Sequence, residues 1–383
     1  MLDANIIVVG GGCAGMQLIH SLLKLPLEQT GNIILIESNR EITHKSWCFW
    51  SKNKTEYDFL ISKYWTELKF GSVSSDLSKE IAPYRYNYIN SEAFFDFHFQ
   101  LISNSPRVKL VYEEVEKIQS VNGIKRVFTR NNEYQAQHVY SSALDFTTID
   151  SERILLWQHF KGWFIKTDQA TFKPSQATMM DFNIPQEKAS HFMYVLPFSE
   201  TEALIEFTAF SIPSGYSDEN YDSFIKNYID EKFNCSYTIL REEKGKIPMT
   251  DFKFPATSKE GVIHIGSLAG SIKPSTGYAF NRISRHTAYL LESFLDNNKS
   301  IYKKQGLARF HFYDTLLLQI IKDQSEQVAM IMNKLFTKNS FYKILSFLDE
   351  STSILQEISL FYTLPKRLFL KEVLKYVWFK FQK

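Results

Sequence analysis

The apolar run Ile6-Ile7-Val8-Val9 is followed at once by Gly10, Gly12 and Gly15, and no other feature constrains the fold of this chain as much. The run reads as a buried parallel strand, and Met16 to Lys24 as the helix after it. Glycines between such a strand and helix let the backbone turn tightly, approach a pyrophosphate closely and pack helix on strand. The phosphates then meet free N–H groups and the positive end of the helix dipole. A second strand, Asn32 to Ile36, ends at Glu37, close to the spacing of about 20 residues expected for an acid that binds a ribose. The order strand, glycines, helix, strand, acid predicts a dinucleotide site, against the alternative of a tight turn with no ligand. The apolar start carries Asp3, lacks a basic flank and is interrupted by glycines, so it reads as a first strand rather than a leader.

With 383 residues the chain is expected to form two domains and an appendage. A net charge of +2 with 22% charged residues gives no nucleic-acid signature. The 32 Phe and 20 Tyr are compatible with codon bias filling ordinary cores and equally with a long apolar tunnel. Cys13, Cys48 and Cys235 are scattered, which predicts no metal site and a reducing, cytosolic setting. No run reaches the roughly 18 apolar residues of a spanning helix.

Beyond residue 80 the pattern changes to strands: Val108 to Val115, Val139 to Ser142, His191 to Leu196 and Ala203 to Phe210. Residues 261–266 read as another buried strand, followed by the loop Gly270 to Gly277 and a helix from Tyr278. The expected organisation is α/β. A discontinuous Rossmann-type nucleotide domain (1–80 and 251–300) holds an inserted β-rich substrate domain (81–250), and a helical region (301–383) follows. The late loop would aim the N-terminal amides of a helix near Thr276-Gly277 at a flavin ring. Two such helix ends, one for pyrophosphate and one for the ring, favour FAD over NAD alone; the alternative is one dinucleotide site and a structural loop.

At these residues the chain resembles the bacterial flavoprotein lycopene cyclases. The resemblance is carried by Trp157-Gln158-His159-Phe160 with Gly162-Trp163, by Met179-Met180-Asp181-Phe182, and by Tyr194-Val195-Leu196-Pro197-Phe198. It continues through Ala203 to Ser211, Gly245-Lys246-Ile247-Pro248-Met249, Gly266 and Lys273 to Tyr278, spanning residues 6 to about 290 in family order. It implies a fold like that of p-hydroxybenzoate hydroxylase, with FAD held reduced and NADPH or NADH as electron source. It also implies a redox-neutral isomerisation of lycopene through γ-carotene to β-carotene. Where many flavoproteins carry Gly-Asp at the late motif, this chain has Gly266-Ser267, as cyclases tend to; this leaves the ribityl contact open. Another flavoenzyme of this fold acting on an isoprenoid, a prenyl reductase or monooxygenase, and a non-catalytic carotenoid binder are the competing readings.

Ring closure needs a proton at C2 of the terminal isoprene unit, attack of the C5–C6 double bond on the C1 cation, and loss of a proton from C6. In the strand Ala203 to Thr208, Glu206 shares a face with Leu204 and Thr208, while Ile205 and Phe207 point the other way. Apolar flanks raise a carboxyl's pKa and keep it protonated, so Glu206 is the candidate acid. The resemblance places the family's essential carboxylate there, and a solvated edge-strand glutamate is the plain alternative. Asp181 is a second candidate, to orient Glu206 or relay its proton, or else a hydrogen-bonded structural residue. Trp47, Phe49, Trp50, Trp163 and Tyr194 are candidate lining residues for cation–π stabilisation, or plain core. His44 and His159 receive no catalytic role.

After Pro365, Leu370, Leu374, Val377 and Phe381 recur at helical spacing beside Lys371 and Lys375, with Trp378 near the end. That pattern fits an interfacial helix on anionic lipid or a helix packed on the domain. A bilayer-resident hydrocarbon substrate favours the first, with peripheral attachment to the cytoplasmic face of the inner membrane expected.

Overall fold

The strand Ile6–Val9 is the central member of a five-stranded parallel sheet in the computed structural model, which describes residues 3–41, 45–143, 149–186, 189–211, 216–296 and 308–381. Ile33–Glu37 and His138–Ser141 flank it, and Val108–Tyr112 and Ile263–His264 form the edges. Its residues are at most 5% exposed, which burial on both faces requires. Alternation sorts them into two cores. Ile6, Val8 and Leu35 pack with Leu18, Leu22, Phe94 and Ile283 on the helices Cys13–Leu23, Ser91–Ser103 and Phe280–Leu295. Ile7, Val9, Ile34 and Ile36 pack with Val127, Tyr134 and Ala136 of an antiparallel three-stranded meander. Gly15 is needed for the first of these contacts: a Cβ there would lie 2.0 Å from the Gly10 carbonyl oxygen.

A second sheet has seven strands in the order Tyr237–Thr250, Leu155–Thr167, Glu202–Ser211, Ser190–Pro197, Gln176–Asp181, Glu67–Ser72 and Ser75–Glu80. It is antiparallel except where 176–181 pairs with 67–72. Trp163, Met193, Val195, Ile205 and Phe207 on one face are covered by Tyr221, Ile225 and Ile229 of the helix Asp218–Lys232. The opposite face closes over a cavity against the first sheet and, further along, packs on the C-terminal helices, where Phe70 stacks on Phe336 at 4.5 Å.

The expected boundary at residue 81 is therefore displaced. Strands 67–72 and 75–80 belong to the second sheet, while 108–112 and 138–141, expected in the substrate domain, belong to the first. Strand propensity marks a segment as extended but carries no information about which sheet accepts it.

Residues 308–381 form the helices Ala308–Asp323, Val328–Lys338, Phe341–Leu348, Ile354–Phe361 and Lys366–Phe381. They are clamped to the glycine-rich loop by buried charges. Lys273 Nζ lies 3.0 Å from Asp314 and 3.2 Å from Glu350, Arg282 lies 2.6 Å from Glu350, and Ser275 Oγ donates to Asp314 at 2.6 Å. Removing one partner of a buried pair costs about 3–5 kcal/mol because the other charge stays desolvated, so this cluster fixes the loop's position.

Candidate active site

A cavity of about 710 Å³ opens at the carboxyl ends of the parallel strands and runs under the second sheet. That volume is within the range of small-molecule sites. At one end stands the first glycine turn. Gly10 has φ +97°, a conformation that glycine adopts without strain. Gly12 precedes the helix Cys13–Leu23, whose N-terminus has no side-chain cap and faces the cavity. A Cβ on Gly12 would meet no protein atom within 4 Å, so the space in front of the helix is open. Glu37 closes this end: its carboxylate accepts from Gly11 N at 2.6 Å and from Asn39 N at 2.9 Å, with lone pairs left over.

The late loop forms the adjoining wall. Gly266, Ser267, Thr276 and Gly277 all line the cavity. Gly266 and Gly277 have φ of +59° and +75°. The helix begins at Phe280, later than the expected Thr276-Gly277, because residues 273–277 form a tight turn in which Gly277 N donates to Lys273 O at 2.9 Å. That turn presses Gly277 on Gln158, whose Oε1 would be 2.7 Å from a Cβ there. Gln158 Oε1 and Thr276 Oγ1 are buried without a partner among the described residues. Orphaned polar atoms on a cavity wall mark a place where a ligand supplies the missing hydrogen bonds. An open helix end, a carboxylate at ribose distance along the chain and orphaned polar groups beside the late loop together fit FAD.

The third wall is the second sheet. In register across four strands stand Tyr194, Glu206, Gly162 and Glu243. Side chains in one such row share a face, and Gly162, having none, leaves Glu206 and Glu243 facing each other. A Cβ on Gly162 would meet Leu204 Cδ1 at 2.7 Å and Glu206 Cβ at 3.2 Å. Thr208 Oγ1 donates to Glu206 at 3.0 Å, and Ser46 Oγ donates to Glu243 Oε2 at 2.7 Å. Both carboxyls line the cavity; Glu243 is 5% exposed, and Glu206 is partly exposed. Burial, reinforced by the neighbouring Glu243 charge and by a hydrogen bond to it, pushes the Glu206 carboxyl well above the ordinary carboxylate range. Burial raises Glu243 too, opposed by the Ser46 hydroxyl, the Arg241 guanidinium and the hydrogen bond with Glu206. Two carboxyls so placed share one proton, since both cannot ionise at close range.

Above this pair Tyr278 Oη lies 3.1 Å from Tyr86 Oη and 3.3 Å from Tyr194 Oη. Burial pushes all three phenols up, Tyr278 to about 12, so they remain neutral. The site thus offers two facing carboxyls that burial pushes up, neutral phenols and aromatic faces.

The structure does not bring Asp181 to Glu206. Asp181 is fully buried on the sheet face opposite the cavity, accepting from Tyr228 Oη at 2.8 Å and from Asn183 N at 3.0 Å, with Lys232 at 3.5 Å. It serves as a hydrogen-bonded structural residue, and the expectation of a relay to Glu206 is corrected. Among the aromatic candidates, Trp47 and Tyr194 line the cavity. Phe49 stacks on Phe280 at 4.9 Å, Trp50 stands edge-on to Tyr278 at 4.7 Å, and Trp163 faces the 218–232 helix. His44 lies outside the described residues. Sequence reasoning missed Glu243, although alternation puts it on one face with Gly245, Ile247 and Met249 while Glu242, Lys244 and Lys246 are exposed. That parity was the available signal.

A family model described as lycopene cyclase protein matches residues 5–372. A lycopene beta-cyclase of Paracoccus sp. is 30% identical over 127 residues, 32% of each chain. One from Pseudescherichia vulneris is 30% identical over 104 residues, 26% of this chain and 27% of its own. The aligned stretches thus span about a third or less of these curated relatives. Among solved structures, a geranylgeranyl bacteriochlorophyll reductase-like protein from Thermoplasma acidophilum superposes with TM-score 0.57 at 15% identity, covering 97% of this chain and 95% of its own. A flavoprotein/dehydrogenase from Cytophaga hutchinsonii gives 0.60 at 12% identity, with coverages of 96% and 99%. A probable FAD-dependent monooxygenase from Pseudomonas aeruginosa gives 0.56 at 11%, with 85% and 96%. The fold is that of the p-hydroxybenzoate hydroxylase class, as the resemblance implied.

Proposed function

This chain belongs to the lycopene cyclase family, and we propose that it closes the ends of lycopene to β-rings, giving γ-carotene and then β-carotene without net redox change. The observation that carries the reading is Glu206: a carboxyl held protonated by burial, on the wall of an aromatic-lined cavity, beside the late glycine loop. Its proton goes to C2 of the terminal isoprene unit. The C1 cation is attacked by the C5–C6 double bond, and a proton leaves C6. Phe160, Tyr194 and Tyr278 present rings to the cavity, and each cation–π contact contributes about 0.5–2 kcal/mol.

FAD is the proposed cofactor. Gly12 and the 13–23 helix N-terminus would take the pyrophosphate, Glu37 the adenosine ribose, and Ser267, Thr276, Gly277 and Gln158 the flavin end. When bound in its reduced, anionic form it supplies negative charge near the developing cation. NADPH or NADH is the proposed external reductant, since the cycle itself consumes none. The test is conversion of lycopene in liposomes by the purified protein with chemically reduced FAD under anaerobic conditions; absence of a cyclic product contradicts the reading. A prenyl reductase or monooxygenase of the same fold would consume reduced flavin, or reduced flavin and oxygen, in proportion to product.

Peripheral membrane attachment is part of the proposal. No described helix is long and apolar enough to cross a membrane. Leu370, Leu374, Val377 and Trp378 of the last helix are 59%, 62%, 41% and 68% exposed, and Ile354, Leu355 and Ile358 of the preceding helix add to this apolar surface. The Phe381 side chain lies outside those described. Lys371, Lys366 and Arg367 supply basic charge on the same helix, the combination that holds an interfacial helix on anionic lipid. The protein is expected to float with anionic liposomes, and Leu370→Asp with Leu374→Asp to leave it in the aqueous fraction; equal flotation of both contradicts this surface.

A further inference from the structure

We propose that Glu243 is the second catalytic carboxylate of this site: it holds the negative half of a one-proton pair with Glu206 and removes the proton that leaves the closing ring. The inference deepens the cyclase reading and rests on it.

Cyclisation gains and loses a proton at two different carbons, C2 and C6, and both are bonded to C1 once the ring has closed. A single carboxyl would have to deliver to one and collect from the other. The structure provides two side by side. Glu206 and Glu243 lie in one row across Gly162, and both line the cavity. Their surroundings differ in the direction the division of labour needs. Glu243 accepts a hydrogen bond from Ser46 at 2.7 Å and feels the Arg241 cation, which favour its charged form. Glu206 accepts from the Thr208 hydroxyl at 3.0 Å, while the Glu243 charge and the hydrogen bond to it favour its protonated form. Glu243 Oε1 is buried without a hydrogen-bond partner among the described residues, and the Glu206 carboxyl is within hydrogen-bonding reach of the Glu243 carboxyl.

The other titratable groups around the pair do not compete for the proton. Cys48 from the 46–51 strand and Tyr86 and Tyr88 from the 85–90 strand are all driven further toward their neutral forms by burial. So are Tyr194 from the 190–197 strand and Tyr278 from the late loop.

The steps balance. The Glu206 O–H bond breaks and a C2–H bond forms; the π pair of C5–C6 makes the C1–C6 bond; the C6–H bond breaks as Glu243 takes the proton, and its electron pair restores the double bond. The pair then again holds one proton, which exchanges with solvent between turnovers and leaves Glu206 protonated for the next ring. While the substrate is cationic both carboxyls are charged, which places two negative groups beside it.

A pair that works with one proton gives a bell-shaped pH profile. Activity falls on the acid side as Glu243 is protonated and on the alkaline side as Glu206 loses its proton. Wild type, Glu206→Gln, Glu243→Gln and Ser46→Ala are assayed with reduced FAD and lycopene in liposomes across pH, with flavin occupancy measured for each. Glu243→Gln is expected to slow ring formation by about 10²–10⁴-fold and to move the alkaline limb to lower pH, because the charge that raises Glu206 is gone. Ser46→Ala, which keeps both carboxyls, is expected to move the acid limb to higher pH. Wild-type rate and profile in Glu243→Gln overturn the inference while leaving the cyclase reading intact. If Glu243→Gln does not retain flavin, Ser46→Ala decides, and an unmoved acid limb overturns it. No cyclic product from the unaltered protein overturns the cyclase reading, and this inference with it.

Discussion

Glu206→Gln is expected to leave a folded, flavin-binding protein that no longer cyclises lycopene. The amide keeps the size of the carboxyl and can still accept from Thr208, which lies 3.0 Å away. What it lacks is an acidic proton. Positioned acid–base groups contribute roughly 10²–10⁴-fold, and the tyrosines Tyr86, Tyr194 and Tyr278 cannot substitute, because they are weaker acids than free phenol where burial disfavours their anions. The amide can also donate to Glu243 as the protonated carboxyl does, so stability is expected to hold. Pigment analysis of the product and flavin absorbance of the same sample read the two effects separately. Near wild-type β-carotene from this variant would remove Glu206 from the role of acid.

Gly12→Val is expected to lose FAD while the protein stays folded. Gly12 has φ −72°, which valine tolerates, and a Cβ there meets no protein atom within 4 Å. The cost to folding is that of a poor helix N-cap, about 0.5–1 kcal/mol. The added methyls stand where the pyrophosphate must approach the helix end. Gly15→Val is the contrasting variant: its Cβ would lie 2.0 Å from the Gly10 carbonyl oxygen, so helix and strand must separate. Loss of flavin from Gly12→Val with a urea midpoint close to that of the flavin-free wild type places the phosphates; full flavin occupancy in a folded Gly12→Val protein would put them elsewhere.

The local parts of this fold are legible in the chain. The strand Ile6–Val9, the turn after it and the strand ending at Glu37 follow from apolar runs and glycines in order, because parallel strands buried on both faces and tight turns are short-range features. The two faces of 202–211 also follow from alternation, with Leu204 and Glu206 on the cavity side and Ile205 and Phe207 under the 218–232 helix. What alternation omits is the partner. Glu243 stands beside Glu206 only because both pair with Gly162, a register set by the whole sheet. Asp181 shows the same limit in reverse. The pairing of its strand is irregular between Thr178 and Asp181, and such a bulge breaks the period-two rule. Met179 and Met180 consequently enter the same core, and Asp181 faces away from the cavity. The assignment of strands 67–80 and 108–141 to sheets is likewise a property of long-range pairing.

Acid–base cyclisation conserves the electrons of the flavin and draws hydrogen from solvent, whereas redox chemistry spends the flavin, and a single experiment counts both. The protein is supplied with lycopene in liposomes and chemically reduced FAD in D₂O without oxygen, and rings formed, flavin oxidised and deuterium incorporated are counted together. Expected of acid–base cyclisation are many rings per flavin, flavin still reduced at the end, and solvent deuterium in each ring at the carbon that Glu206 protonates. Flavin oxidised in step with product, equal activity with oxidised flavin, or rings free of deuterium would contradict it.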